Sequence, residues 1–505
     1  MAMVKSSRLA ASIYRTQPTI LLGLARCYMV TSVQAKRFRN MTTVIDSKIY
    51  GNVFATPEVK AIWSDRQRTN YFLLFEAALA KVQAEIGIIP QKAADTIVKH
   101  CNVDDYDFDE LRKKTELIGY PVLPVVQQLV AKVNAVEAGL GEWAHWGTTT
   151  QDLTDTAVIL QLRDTLILVE KTLDNIIKAL RKLSEKHKAT PMAARSNLQQ
   201  AVPISFGFKM ARLLACFERH KERLAELKPR LLVLQFSGAA GTLATITSAS
   251  SHNAPDMVDG IPLGLRCQIL LAAELGLAVP EIAWHTERDN LAEVSNYLAV
   301  LTATCAKFAT DLKVMMQLEI GEAREPYVPH RGSSSTMPQK RNPVGCAYIC
   351  SMASTVRGMA SSMVEAVVAD FERSTGPWEI EWIVLPQVCA LSQACLEQTH
   401  YLLDGLEVDE EGMKRNLALT KGNVVSEAVM MGLGKAIGRQ YAHDLVYDLC
   451  RRAQLEDKSL LELLCQHETV KKAGLSEERL AELCDPTNYL GLSEVMVDRV
   501  LDRRV

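Results

Sequence analysis

The sequence predicts an all-α fold organised round a bundle of long helices. Proline is absent from Val125 to Thr190, from Glu281 to Glu325, from Val344 to Gly376 and from Gln387 to Asp485, so each stretch can be helical without a break. From Asp155 to Lys188 the apolar residues Val158, Leu162, Leu166, Val169, Leu173, Ile176, Leu180 and Leu183 recur at steps of three and four. That spacing is the buried stripe of a helix several turns long. No comparable alternating pattern appears elsewhere, so strands are not expected to contribute a layer.

The 505 residues suffice for about three domains, and 48% hydrophobic residues fill sizeable cores. A formal net charge of -2 leaves no electrostatic footprint for nucleic acid or an anionic membrane, so an anionic ligand must be met by local charge. The 12 cysteines include no C-x-x-C pair and no zinc-type histidine spacing, which favours reduced thiols over a disulfide framework or structural metal.

Residues 1–45 carry Lys5, Arg8, Arg15, Arg26, Lys36, Arg37 and Arg39 with no acidic residue, a composition similar to a mitochondrial presequence. The apolar run from Ile20 to Val30 is short and broken by Arg26, which argues against a membrane anchor. A start at Met41 would instead give a shorter cytoplasmic product. An N-terminal helical domain is expected over 46–124, a central bundle over 125–372 and a C-terminal helical domain over 373–505. Gly432 to Gly438 lacks the spacing and preceding strand of a phosphate loop, and reads as helix packing.

Three polar islands interrupt the apolar background. His145 to Thr156, H-W-G-T-T-T-Q-D-L-T-D-T, leads into the long helix; Asp152 or Thr154 suits a cap, yet three successive threonines suggest hydroxyls for a ligand. Arg195 to Pro203, R-S-N-L-Q-Q-A-V-P, sets amides in apolar surroundings, where they need partners. Arg331 to Pro343, R-G-S-S-S-T-M-P-Q-K-R-N-P, has the composition of a polar loop, equally that of a solvated linker, and gathers hydroxyls, an ammonium, a guanidinium and an amide.

The third island resembles the S-S-x-M-P-x-K-x-N-P signature loop of the fumarase/aspartase superfamily. The resemblance extends over about residues 50–500 and implies that family's three-domain fold with a central long-helix bundle. It also implies a homotetramer whose active sites are each assembled from three subunits, and a small polycarboxylate substrate; no cofactor or metal is expected. Aligned on Met337, Lys340 and Asn342, the loop places the family's catalytic serine at Ser334, with Ser335, Lys340 and Asn342 on substrate. The first island resembles the family's carboxylate-binding G-x-T-S-x-D, which implies Thr149 and Thr150. The second resembles T-H-x-Q-x-A-x-P, which implies Gln199 on substrate and puts Asn197, as a substrate-orienting amide, where many relatives carry a histidine. Arg288 and Arg373 are candidate carboxylate clamps, with structural salt bridges as the alternative. His285, His443, Glu372 and Asp444 read as structural.

Two departures bear on the chemistry. Asn197 has no proton to give a departing amine, and Ala347 stands where hydratase-like members have a glutamate supporting the missing histidine. W-H-T-E-R-D, E-R-S-T-G-P-W-E-I-E-W and G-R-Q-Y-A-H-D are similar to the 3-carboxy-cis,cis-muconate cycloisomerase-like branch. Within that branch, S-N-L-Q-Q-A-V-P, R-G-S-S-S-T-M-P-Q-K and T-G-P-W-E-I resemble the fungal trans-aconitate decarboxylases. The resemblance implies a carbanion held as an aci-carboxylate. It implies decarboxylation of trans-aconitate to itaconate, with lactonisation of carboxymuconate as the alternative. Amine elimination of the adenylosuccinate lyase type and a non-enzymatic structural relic rank lower, the latter because the signature loop is intact.

Overall fold

A computed structural model describes residues 43–374 and 376–503. Residues 1–42 of the presequence-like segment, Met41 among them, lie outside the described residues. Five short-to-medium helices open the fold: α1 (Pro57–Ile62), α2 (Asp65–Glu85), α3 (Gln91–His100), α4 (Phe108–Ile118) and α5 (Val122–Val136). Ser64 caps α2 and Asp107 caps α4, each accepting from backbone N–H groups of the first turn. The expected boundary at residue 125 falls inside α5. Pro121 and Pro124 sit at its start, where an intrahelical N–H partner is lacking anyway, so they open a helix instead of ending a domain.

The long helix is α6 (Thr150–Lys186), and its 37 residues span about 55 Å at 1.5 Å per residue. A hairpin of β1 (Pro191–Ser196) and β2 (Gln199–Ser205) follows, then α7 (Phe206–Leu231). The hairpin departs from the expectation of helices joined by irregular loops. Asn197 and Leu198 both have positive φ, 50° and 65°, which is the two-residue turn that matches the twist of paired strands. After a small ribbon of β3 (Met257–Val258) and β4 (Ile261–Pro262) come α8 (Leu263–Leu275), α9 (Asp289–Met315) and β5 (Ala323–Arg324). Next are α10 (Val344–Glu365), α11 (Pro377–Asp404) and β6 (Glu407–Val408), which pairs with β5.

Helices α6, α7, α9, α10 and α11 form the bundle, with Leu162, Leu166, Val169, Leu173 and Leu180 of α6 fully or almost fully buried in it. One apolar core runs from Ala55 to Met413 and joins the N-terminal helices to the bundle. The remaining helices are α12 (Glu410–Ala418), α13 (Ser426–Ile437), α14 (Arg439–Glu456), α15 (Leu460–Gln466), α16 (Glu468–Lys472), α17 (Glu477–Cys484) and α18 (Ser493–Leu501). A second core, from Val429 to Leu480, makes the C-terminal unit. The break therefore lies after α12, not at residue 373. Pro377 starts α11 and Pro386 lies within it, yet Val388, Cys389 and Leu396 bury that helix in the bundle, and the packing outweighs one lost backbone hydrogen bond. Helix α18 returns to the bundle, where Arg181 donates to the carbonyl of Leu501 at 2.7 Å and Lys188 pairs with Asp498. No helix among the described residues is long and apolar enough to cross a membrane.

Candidate active site

The threonine island is held from below by one buried carboxylate. Asp152, in the first turn of α6 and 0% exposed, accepts from the Thr148 hydroxyl (3.1 Å) and the Thr149 N–H (3.1 Å). It also accepts from the N–H groups of Ser237 (3.1 Å) and Gly238 (2.9 Å), and its Oδ1 lies 2.8 Å from His285 Nε2. Asp152 and His285 are thus the scaffold that fixes the loop, as a structural reading of His285 requires. Gly147 needs its hydrogen side chain: its φ is 73° and a Cβ would come within 2.1 Å of Ile246. Arg373 donates to the Thr149 hydroxyl at 3.2 Å and to the carbonyl of Ala239 at 3.1 Å. The structure therefore brings Thr149, Thr150 and Arg373, residues far apart in sequence, to one end of the bundle.

Arg288 is placed elsewhere. It is 3% exposed and chelated by two carboxylates, Asp155 at 2.8 and 3.0 Å and Glu381 at 2.8 and 2.6 Å, with Trp284 under the guanidinium. Burial opposes its charge, but the two carboxylates outweigh burial and hold its pKa above the ordinary arginine value. Nothing of this guanidinium is left for a substrate, and its role is to tie α6, α9 and α11 together.

The serine-rich loop closes on a narrow neck. Asn342 donates both its N–H (2.9 Å) and its side-chain amide (2.8 Å) to the carbonyl of Gly332, and Ser333 bridges Arg341. Gly332 has a φ of 74°, and a Cβ there would sit 2.4 Å from the Asn342 carbonyl oxygen. The Asn342 side chain thus pins the neck, which differs from the direct substrate contact that the resemblance implies. Glu325, 3% exposed, accepts from Gly345 (3.2 Å) and Cys346 (2.8 Å) at the start of α10, and Arg341 pairs with Glu407.

Within the loop Ser334 differs from its neighbours. Its Oγ accepts from the N–H groups of Met337 (3.1 Å) and Thr336 (3.3 Å), whereas Ser333 and Ser335 are exposed. Those two donors are the groups placed to stabilise negative charge on this oxygen. Lys340 is exposed at the loop tip and makes no ion pair among the described residues.

The amide island sits on the hairpin. Arg195 holds the hairpin through a bidentate pair with Glu322, at 2.8 and 2.7 Å, the carboxylate being 0% exposed. Asn197, Leu198 and Gln199 are exposed at the tip. Leu198 was not among the residues expected to matter; an apolar side chain 80% exposed at positive φ is its signal, and it needs the backbone to be seen. His145 was also missed, although it opens the first island. Its Nδ1 lies 2.6 Å from buried Glu76, and its N–H donates to the same carboxylate at 3.1 Å.

The three islands do not meet in one chain. Arg288, beside the start of α9, pairs with Asp155 near the start of α6, so α9 begins at the Thr149 end. It runs towards Glu322, which grips the hairpin beyond the far end of α6. The serine loop lies there too, and α10 returns 22 residues, about 33 Å, to the Arg373 segment. Hydroxyl clamp and serine occupy opposite ends of the bundle.

Fold and site define a lyase of the fumarase/aspartase superfamily. The chain matches the family described as Lyase over residues 52–358, and Adenylosuccinate lyase C-terminus over 422–500. It belongs to this lyase family. It is 51% identical to trans-aconitate decarboxylase 1 of Mycosarcoma maydis over 90% of this chain and 88% of that protein. It is 40% identical to 3-carboxy-cis,cis-muconate cycloisomerase of Pseudomonas aeruginosa over 91% of this chain and 97% of the relative. The crystal structure of 3-carboxy-cis,cis-muconate lactonizing enzyme from Pseudomonas putida superposes with a TM-score of 0.82 at 37% identity, covering 90% of this chain and 98% of that one.

Proposed function

We propose that this lyase decarboxylates trans-aconitate to itaconate. Loss of carbon dioxide from the carboxylate on the methylene leaves an allylic carbanion conjugated with the distal carboxylate, where the charge rests as an aci-carboxylate. Thr149, Thr150 and Arg373, with Lys340 on the loop, hold the carboxylates; Ser334 delivers one proton to the carbon beside the distal one. The resulting serine oxyanion is met by the Thr336 and Met337 N–H groups and is reprotonated from solvent. The observation that carries the reading is this pairing of a supported serine oxygen with Asn197 in place of an imidazole. A reaction with a single proton transfer to carbon needs nothing more, and the 51% identity to a trans-aconitate decarboxylase supports the same choice.

Because the clamp and the serine lie at opposite ends of one bundle, the proposal includes a homotetramer in which other copies bring them together. Exposed apolar side chains along the bundle helices, Ile167, Val300, Val364 and Ile383, support such contacts. The basic first 45 residues support mitochondrial delivery, which cell fractionation tests. Cycloisomerisation is the second reading, favoured by the 40% identity to a cycloisomerase. A substrate panel decides between them: carbon dioxide and itaconate from trans-aconitate support the proposal, and a lactone from carboxymuconate with inert trans-aconitate overturns it.

A further inference from the structure

The serine loop is mounted on the ribbon of β5 and β6, in which Ala323 pairs with Val408 and Arg324 with Glu407. Arg341, between Lys340 and Asn342, is the residue of the loop that meets the ribbon. Its guanidinium donates to Glu407 Oε2 at 3.1 Å and to the carbonyl of Glu325, and lies 5.3 Å from the centroid of the Tyr327 ring. Its backbone forms the bridge with Ser333, the residue before Ser334. Glu407 also reaches the segment that leads into the loop, where its Oε1 accepts from the N–H of Tyr327 at 2.7 Å. One carboxylate thus ties the incoming segment and the outgoing neck to the same strand.

Exposure separates this pair from the structural ones around it. Glu322 and Glu325, at 0% and 3% exposed, fix the hairpin and the start of α10. The side chains of Arg341 and Glu407 are 28% and 39% exposed, and an ion pair so open to water adds little to stability. What the pair does set is the stance of the loop. Resting on the proposed role of Ser334, we infer that Glu407 is a positioning residue for the proton transfer: through Arg341 and its bridge to Ser333 it places Ser334 and Lys340, without touching substrate. Placement decides rate, because a displacement of about 1 Å can cost on the order of 10²-fold. Glu407 lies 66 positions from Arg341 and outside the three polar islands, so nothing in the loop's own sequence names it.

Limited trypsin digestion of the full-length protein reads the loop without any substrate. In Glu407→Ala, cleavage after Lys340 and Arg341, followed by mass spectrometry, should speed up about fivefold or more, while cleavage elsewhere and the melting temperature stay at wild-type values. In steady-state kinetics the same substitution should lower kcat about tenfold, yet by less than about twofold when added to Ser334→Ala, because both act on one step. Tyr327→Leu, which removes the ring beside Arg341, should open the loop in the same way and decides if Glu407→Ala does not fold. Unchanged loop cleavage, unchanged kcat, full additivity with Ser334→Ala, or a fall in kcat that comes with a lowered melting temperature and faster cleavage throughout the chain would each overturn the inference. Wild-type protein inert towards trans-aconitate overturns the reading of function instead; the digestion still decides the role of Glu407, and the kinetics are then run on carboxymuconate.

Discussion

Ser334 is set apart from Ser333 and Ser335 by its two backbone donors, and mutation of the three should separate them. Ser334→Ala should lower turnover by about 10²- to 10⁴-fold with KM nearly unchanged, the loss expected for a proton-transfer group, while Ser333→Ala stays near wild type. Steady-state kinetics showing the reverse order would move the proton to another oxygen. Arg373→Ala should act on binding, raising KM for trans-aconitate about tenfold through a lost charged hydrogen bond. Arg288, although an arginine beside a family motif, belongs to stability. Arg288→Ala leaves Asp155 and Glu381 buried and unpaired, a loss of about 3–5 kcal/mol that denaturant unfolding should register. Sequence alone kept both arginines as candidates, because a guanidinium has the same chemistry in a site and in a core; the partners that decide are 133 and 93 positions away. Asn342 shows the same limit, since its partner, the Gly332 carbonyl, is a backbone atom that no motif names.

At the level of elements, proline spacing and the three-four stripe were enough to read α6 and the helical bundle, because buried leucines recur with the period of the helix itself. The hairpin was hidden: its strands are short, Arg195 and Gln200 face polar partners, and the turn depends on Asn197 tolerating positive φ. Between α7 and α9 a buried histidine gives the fold a pH dependence. His220 Nε2 lies 2.8 Å from Thr304 Oγ1, and burial, reinforced by Arg223 and Arg219, pushes its pKa down to about 4. The unfolded imidazole takes its proton near pH 6.5, so its contribution to stability is complete above that value and is lost as pH falls towards 4. Urea unfolding should show the wild type losing more stability than His220→Gln across that window; parallel curves would remove His220 from the account.

The proposed hydroxyl clamp and the proposed proton donor lie at the two ends of a bundle that a small tricarboxylate cannot span. That separate copies meet there is an expectation of the family resemblance alone, because no residue pattern reports which copy faces which island. Mixing Ser334→Ala with Thr149→Val subunits after mild dissociation should therefore restore part of the activity that neither variant shows alone; no recovery in verified mixed tetramers would place both groups in one subunit's site. The most direct measurement of the central claim is the fate of the proton. In heavy water, purified protein turning over trans-aconitate should give itaconate with one deuterium on the saturated methylene carbon and none on the terminal alkene carbon, read by proton and carbon NMR. Itaconate without deuterium at that methylene, or no itaconate alongside rapid lactone formation from carboxymuconate, would contradict it.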